Sequence, residues 1–239
     1  MKFSFRRLCA IGLLSLVGAC GDGGDGPGNI VQVAESEHLT ALTAAATKAG
    51  LVTTLSDASA SLTVFAPTDA AFDTLATQLG FADANALVAA LPAEALASIL
   101  TYHVLPTAKS STQISGSSSL ATDYSYGGAA ATIAVDATSG VALTDADLAT
   151  AHVTMADVPA SNGVIHVVDK VLVPPGVLNV VQMAQANPAT FSSLVGAIVA
   201  TDLQGTLSGT GPFTVFAPTN AAFDAAASIT ATLTTDQLA

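Results

Sequence analysis

The sequence predicts a mixed α+β fold, and three observations carry that reading. Apolar residues recur at helical spacing from Asn29 to Leu55, and again from Asp83 to Ala90 and Ala93 to Thr101. After Tyr102 the texture changes to short β-branched segments broken by Gly, Ser and Asn, the mark of an antiparallel set of strands. The stretch TVFAPTDAAFD, Thr63 to Asp73, returns as TVFAPTNAAFD, Thr214 to Asp224, identical at ten of eleven positions and offset by 151 residues. The chain therefore builds one local corner twice.

Residues 1–19 stand outside the fold. Lys2, Arg6 and Arg7 precede a short apolar run from Leu8 to Val17 and then small residues, the layout of an export signal, and the run is too short to span a membrane comfortably. LVGAC, ending at Cys20, resembles a bacterial lipobox, in which the cysteine becomes the acylated first residue of the mature chain. Gly21 rather than an aspartate follows it, so outer membrane or cell surface is expected in preference to the inner membrane. Residues 20–28, rich in glycine, read as a flexible tether.

Removing the signal takes Cys9 with it, so Cys20 is the single cysteine left and no internal disulfide is expected. It also leaves Lys48, Lys109 and Lys170 against eighteen acidic residues, a net charge of −15. With no arginine to fork onto phosphate and this much negative charge, nucleic acid is excluded as a partner.

The elements follow in order. Helical spacing from Ile30 through Leu55 is broken at Gly50. SLTVFAP reads as a strand, with Leu62, Val64 and Ala66 on one face and Thr63 and Phe65 on the other, ended by Pro67. Thr68 caps the next helix and Asp69 stands in its first turn, each contributing about 0.5–2 kcal/mol. Phe65 and Phe72 are expected in the core beside Leu62 or Leu75. AATIAVD, VALT, AHVTMADV and GVIHVVDKVLVP supply the later strands, with Ser161 to Gly163 as a hairpin turn. From Asn179 the helical pattern restarts, and Leu178 to Ala184 is set against Ile30 to Ser36. TTDQLA, at the end, aligns with the start of the LPAEALA helix, so residues 175–239 read as the front part of a second unit and the record as truncated within it.

TVFAPTDAAF, YHVLP and NGVIHVVDKVLVP, in that order and spacing, resemble the motifs of a fasciclin-like domain. The resemblance covers residues 29–174 in full and the front of a second copy in 175–239. It implies a twisted β-sandwich wedge joined to an N-terminal helical cluster, and a role in adhesion or protein binding at a surface without catalytic machinery or cofactor. It places motif or binding residues at Thr68, Asp69, Tyr102, His103, Asn162, His166 and Asp169. It also singles out Asp157 as the acidic member of an adhesive dipeptide, although Val158 stands where such ligands of animal receptors carry isoleucine.

Chemistry read from the residues agrees. His103, His166 and Asp169 are the strongest metal candidates, yet no two histidines have metal-site spacing and no cysteine joins them. The alternative is a buried His103 satisfied by hydrogen bonds, with a surface histidine paired to a carbonyl or to Asp69. There is no nucleophile elbow and no phosphate loop. Two functions stay open: a lipid-anchored module binding a cell-surface or matrix protein or glycan, and a carrier or sensor of a small apolar ligand held between the N-terminal helices and the sheet.

Overall fold

The computed structural model describes residues 26–209 and 211–226. The signal, Cys20, most of the tether and TTDQLA lie outside the described residues.

Three helices open the described residues: α1 (Ile30–Ser36), α2 (Thr40–Lys48) and α3 (Val52–Leu55). Asn29 accepts from the Gln32 amide while the Gln32 side chain returns to the Asn29 amide, which satisfies two of the donors a helix start leaves open. Strand β1 (Leu62–Pro67) follows, then α4 (Asp69–Gln78), α5 (Ala84–Ala90) and α6 (Ala93–Tyr102). The remaining elements of the first unit are β2 (Val104–Leu105), α7 (Ser111–Ser115), β3 (Ser119–Tyr126), β4 (Ala129–Asp136), β5 (Ala142–Thr144), β6 (Thr150–Ala160) and β7 (Gly163–Val168).

Two of these differ from expectation for local reasons. Helix α7 rests on a Ser110–Gln113 capping box in a stretch with one buried apolar residue, Ile114, so no apolar period announced it. Strand β3 buries only Leu120 and Thr122 and ends at a hairpin, which leaves its sequence mostly polar.

The strands form one seven-stranded sheet in the order β2-β1-β7-β6-β5-β4-β3. The strands after Tyr102 pair antiparallel, as expected, and the one parallel pair is β1 with β7, from Leu62↔Gly163 to Pro67↔Val168. A parallel pair needs a long crossover, and everything from α4 to β6 supplies it. Strand β6 serves both leaves of the sheet: Thr150–His152 pair with β5, and the residues from Val153 on pair with β7. Bent at β6, the sheet closes into a wedge in which β2 lies against β3.

Strand β1 divides the core. Val64 and Ala66, with Ile165 and Val167 of β7, pack on the helices against Ile30, Leu42, Phe72 and Leu75. Phe65 points the other way, into the wedge with Tyr102, Leu105, Ile133, Leu143 and Val168. Alternation along the strand therefore sends Phe65 and Phe72 into different clusters, whereas the sequence placed them together.

The second unit repeats the front of the first: α8 (Val180–Ala186), α9 (Pro188–Ala200), α10 (Gln204–Leu207) and α11 (Asn220–Ala225). Asn179 and Gln182 form the same capping box as Asn29 and Gln32, so Val180–Ala186 is the true counterpart of Ile30–Ser36 and the sequence alignment slips by two residues. Thr219 caps α11 as Thr68 caps α4. The one difference in the repeated motif keeps its role: Asp69 Oδ1 accepts from the Ala41 amide at 2.8 Å, and Asn220 Oδ1 accepts from the Ser193 amide at 2.9 Å. Thr214–Pro218 forms no strand, and Phe216 is 92% exposed.

Candidate functional site

Strand β6 leaves regular pairing twice between Val153 and Val158, an irregularity that re-aims the side chains of its exposed residues. Asp157 sits there at φ +58, a left-handed conformation that aspartate tolerates better than most residues. Its carboxylate accepts from the Ser111 hydroxyl and, at 2.8 Å, from the Ser111 amide. Those two bonds, the hydroxyl first, hold the carboxyl below the usual range. Met155, beside it, is 47% exposed.

Beneath this surface His166 is fully buried. Its Nδ1 accepts from the Asp157 amide at 3.2 Å, so Nε2 carries the hydrogen and donates to the Lys109 carbonyl at 2.9 Å. The ring also lies 5.8 Å from that of Phe65. His166 thus fixes the bulge from below and does not reach solvent.

Tyr102 and His103 are likewise buried. The Tyr102 hydroxyl donates to the Thr132 carbonyl at 3.0 Å, the ring meets Tyr124 edge-on, and burial with the nearby Asp145 pushes its phenol well up. His103 donates from Nδ1 to the Ile99 carbonyl at 2.7 Å and accepts the Leu172 amide at Nε2 at 2.9 Å. Burial lowers it to about 4, so the ring is neutral at physiological pH. The pair joins α6 to the wedge.

Asn162 is buried in the β6–β7 turn. It accepts from the Ile30 amide at 2.9 Å and donates to the carbonyls of Leu55 and Asp57, tying the turn to both α1 and α3. Thr68 and Asp69 are half-buried helix caps, and Asp69 takes the Thr40 hydroxyl and the Ala41 amide rather than a histidine. Asp169 bonds His152, through its amide at 2.7 Å and its ring at 3.2 Å, not His166. Among the described residues no three His, Cys, Asp or Glu side chains gather around a metal-sized space. The eight positions therefore fall into a buried frame of Tyr102, His103, Asn162 and His166, two caps, and two exposed carboxylates.

The sequence reading passed over a buried acidic pair. Asp145 accepts from the amides of Asp147, Ala149 and Val173, and burial still pushes its carboxyl up. Asp147, pushed up to about 8 by burial and then by Asp145, has one carboxylate oxygen without a hydrogen-bond partner. Its carbonyl accepts from Asn187, so it stands at the junction of the two units. Two acids one residue apart beside an apolar strand, DADLA after VALT, were the available signal. The pocket expected between the N-terminal helices and the sheet measures only about 20 Å³ in the first unit, where Ile30, Leu42, Val64 and Leu100 line it.

The sequence model of the Fasciclin domain matches residues 37–174 and 189–239. The chain belongs to the fasciclin family. Fasciclin domains are adhesion and protein-binding modules and are not catalysts. A protein of Synechocystis sp. is 38% identical over 148 residues, which cover 61% of this chain and 73% of that protein. Human periostin is 29% identical over 167 residues, 67% of this chain but 17% of periostin. A solved fasciclin domain pair, from the insect cell adhesion molecule Fasciclin I, is 20% identical with a TM-score of 0.38, covering 67% of this chain and 52% of that one.

Proposed function

We propose that this fasciclin protein is a surface adhesion module, tethered to a bacterial envelope by a lipid on Cys20, which binds a cell-surface or matrix protein or glycan. Residues 29–174 form its complete domain, and residues 175–239 are the front part of a second. The observation that carries the reading is the bulged face of β6. Asp157 and Met155 stand outward there, while Ser111 fixes the Asp157 carboxylate and His166 holds its amide from below. A contact surface gains affinity when its groups are ordered before the partner arrives. The strongly acidic chain favours a basic partner patch and attachment that weakens as salt rises.

The test uses chain lacking residues 1–20, applied to cell and matrix-coated surfaces. Saturable attachment is expected, with Met155→Lys weakening it about tenfold while the unfolding temperature stays unchanged. Attachment equal to wild type in this variant removes the β6 face from the proposal. Mass spectrometry of the membrane fraction tests the anchor: an acylated Cys20 is expected, and an unmodified N-terminus elsewhere rejects it.

A further inference from the structure

A pinned linker joins the two units. The Tyr124 hydroxyl donates to the Pro175 carbonyl at 3.0 Å. Gly176 follows at φ +80, and the Tyr126 ring lies so close that a Cβ there would stand 2.3 Å from its Cε2, so a side chain is barred from this turn. Beyond it α8 lies against α4, and the buried Asn187 side chain donates to the Asp147 carbonyl at 2.9 Å. The units therefore meet at a pivot and at the loop from Asp145 to Ala149.

That loop is held under constraint. Both carboxylate oxygens of Asp145 accept amides of the first unit, which anchors it. Leu148 stands at φ +59, a conformation that a bulky side chain rarely adopts. Asp147 is only 4% exposed, and its Oδ2 has no hydrogen-bond partner. A carboxylate in that position lacks donors, whereas the protonated acid has no charge to solvate. The groups around it do not replace water. Asp145 repels an anion there, and Lys170 draws one from a distance, with no ion pair to Asp147 among the described residues. Thr74, Leu75 and Gln78 of α4, Met183 and Ala184 of α8, and Phe191 of α9 carry no charge. Tyr102, behind Asp145, keeps its proton.

We propose that protonated Asp147 latches the joint between the units, and that its ionisation loosens it. The proton leaves to solvent, the anion gains water as the loop parts from α8, and the Asn187 bond opens with it. The units then turn about the linker at Gly176. This acid-closed hinge is independent of the lipid at Cys20 and of the β6 face. In the closed joint the carboxyl titrates at about 8, and opening returns it to its ordinary 3.8. Closure is therefore strongest below about pH 4, weakens about tenfold per pH unit up to about 8, and levels off above.

Hydrogen exchange of the Asn187 side-chain amide, followed by NMR on the full chain and expressed as a protection factor, reads the opening. Protection is expected to fall about tenfold per unit from about pH 5 to about pH 8 and then to level off. Asp147→Asn removes the slope. Lys170→Gln moves the levelling-off to higher pH, because the cation no longer favours the anion. The Phe65 amide, bonded to the His103 carbonyl inside the first unit, keeps steady protection from about pH 5 to about pH 6.5. Asn187 protection that does not vary with pH, a slope that survives Asp147→Asn, or an unmoved plateau in Lys170→Gln overturns the proposal. So does a parallel fall at Phe65, which makes the event global unfolding.

Discussion

Phe65 and Phe216 occupy the same position of a motif that is repeated with one change in eleven residues, yet the first is 0% exposed and the second 92%. Everything local is reproduced: the capping boxes at Asn29 and Asn179, the threonine caps, and the reach of residue 69 or 220 to the amide of a neighbouring helix. What differs is the sheet. Strand β1 is a strand because β7 and β2 flank it, and its copy, without flanking strands among the described residues, is an exposed segment outside any sheet. A motif can carry its caps and turns within itself, but it borrows its burial from elsewhere in the chain.

The largest test of that contrast is a pair of substitutions. Phe65→Ala should destabilise the first unit by about 3–5 kcal/mol, the usual cost of removing a buried ring. Phe216→Ala should stay within about 0.5 kcal/mol, as exposed positions do. Denaturant unfolding measures both, and a large loss at Phe216 would show that its face is covered in solution.

An intermediate effect is expected at the junction of the units. Asp147 rises from 3.8 to about 8 on folding, so the folded chain keeps a proton that the unfolded chain has released. That contribution is complete below about pH 4 and is lost as pH rises through about 8. His103 falls from 6.5 to about 4, so it costs stability as pH drops through that window and offsets Asp147 there. Stability should therefore change little from pH 4 to 6.5 and decline from 6.5 to 8. Asp147→Asn should flatten the decline and leave the acid loss of His103 standing alone; an unchanged decline in this variant would assign it to other groups.

The smallest expected effect sharpens the contrast from the other side. Thr68→Ala and Thr219→Ala each remove one cap, worth about 0.5–2 kcal/mol of helix stability. Because the caps are local, amide exchange at Ala71 and Ala222 should accelerate to a similar degree despite the difference in burial around them. A cost at Thr68 alone would mean that the cap depends on the sheet.

The same division explains what the sequence made legible. The caps at Thr68 and Asp69, the Ser161–Asn162 turn and the bounds of α5 and α6 depend on neighbours a few residues away and could be read directly, whereas the break between α1 and α2 at Glu37–Leu39 lies inside an unbroken apolar spacing and could not. The parallel pairing of β1 with β7 could not, since nothing in either strand marks its direction. Of the candidate site, the motif residues were visible as a set, but not that Tyr102, His103, Asn162 and His166 face inward. A polar residue in a motif has the same appearance whether it meets a partner protein or a buried amide. Asp147 escaped for a related reason, because a carboxylate reads as solvent-facing until the fold encloses it.

The clamp from residue 69 to Ala41 spans 28 residues and its copy from 220 to Ser193 spans 27, whereas Asn162 reaches Ile30 across 132. Closing the short loops costs less chain entropy, and contacts of low sequence separation form early. As the chain grows from its N-terminus, the helical front of a fasciclin unit can assemble before its sheet is complete. The long Asn162 tie then acts as a completion signal, engaging only after the last hairpin has arrived. A fold arranged in this sequence keeps its most aggregation-prone edges unmade until the strands that cover them are present.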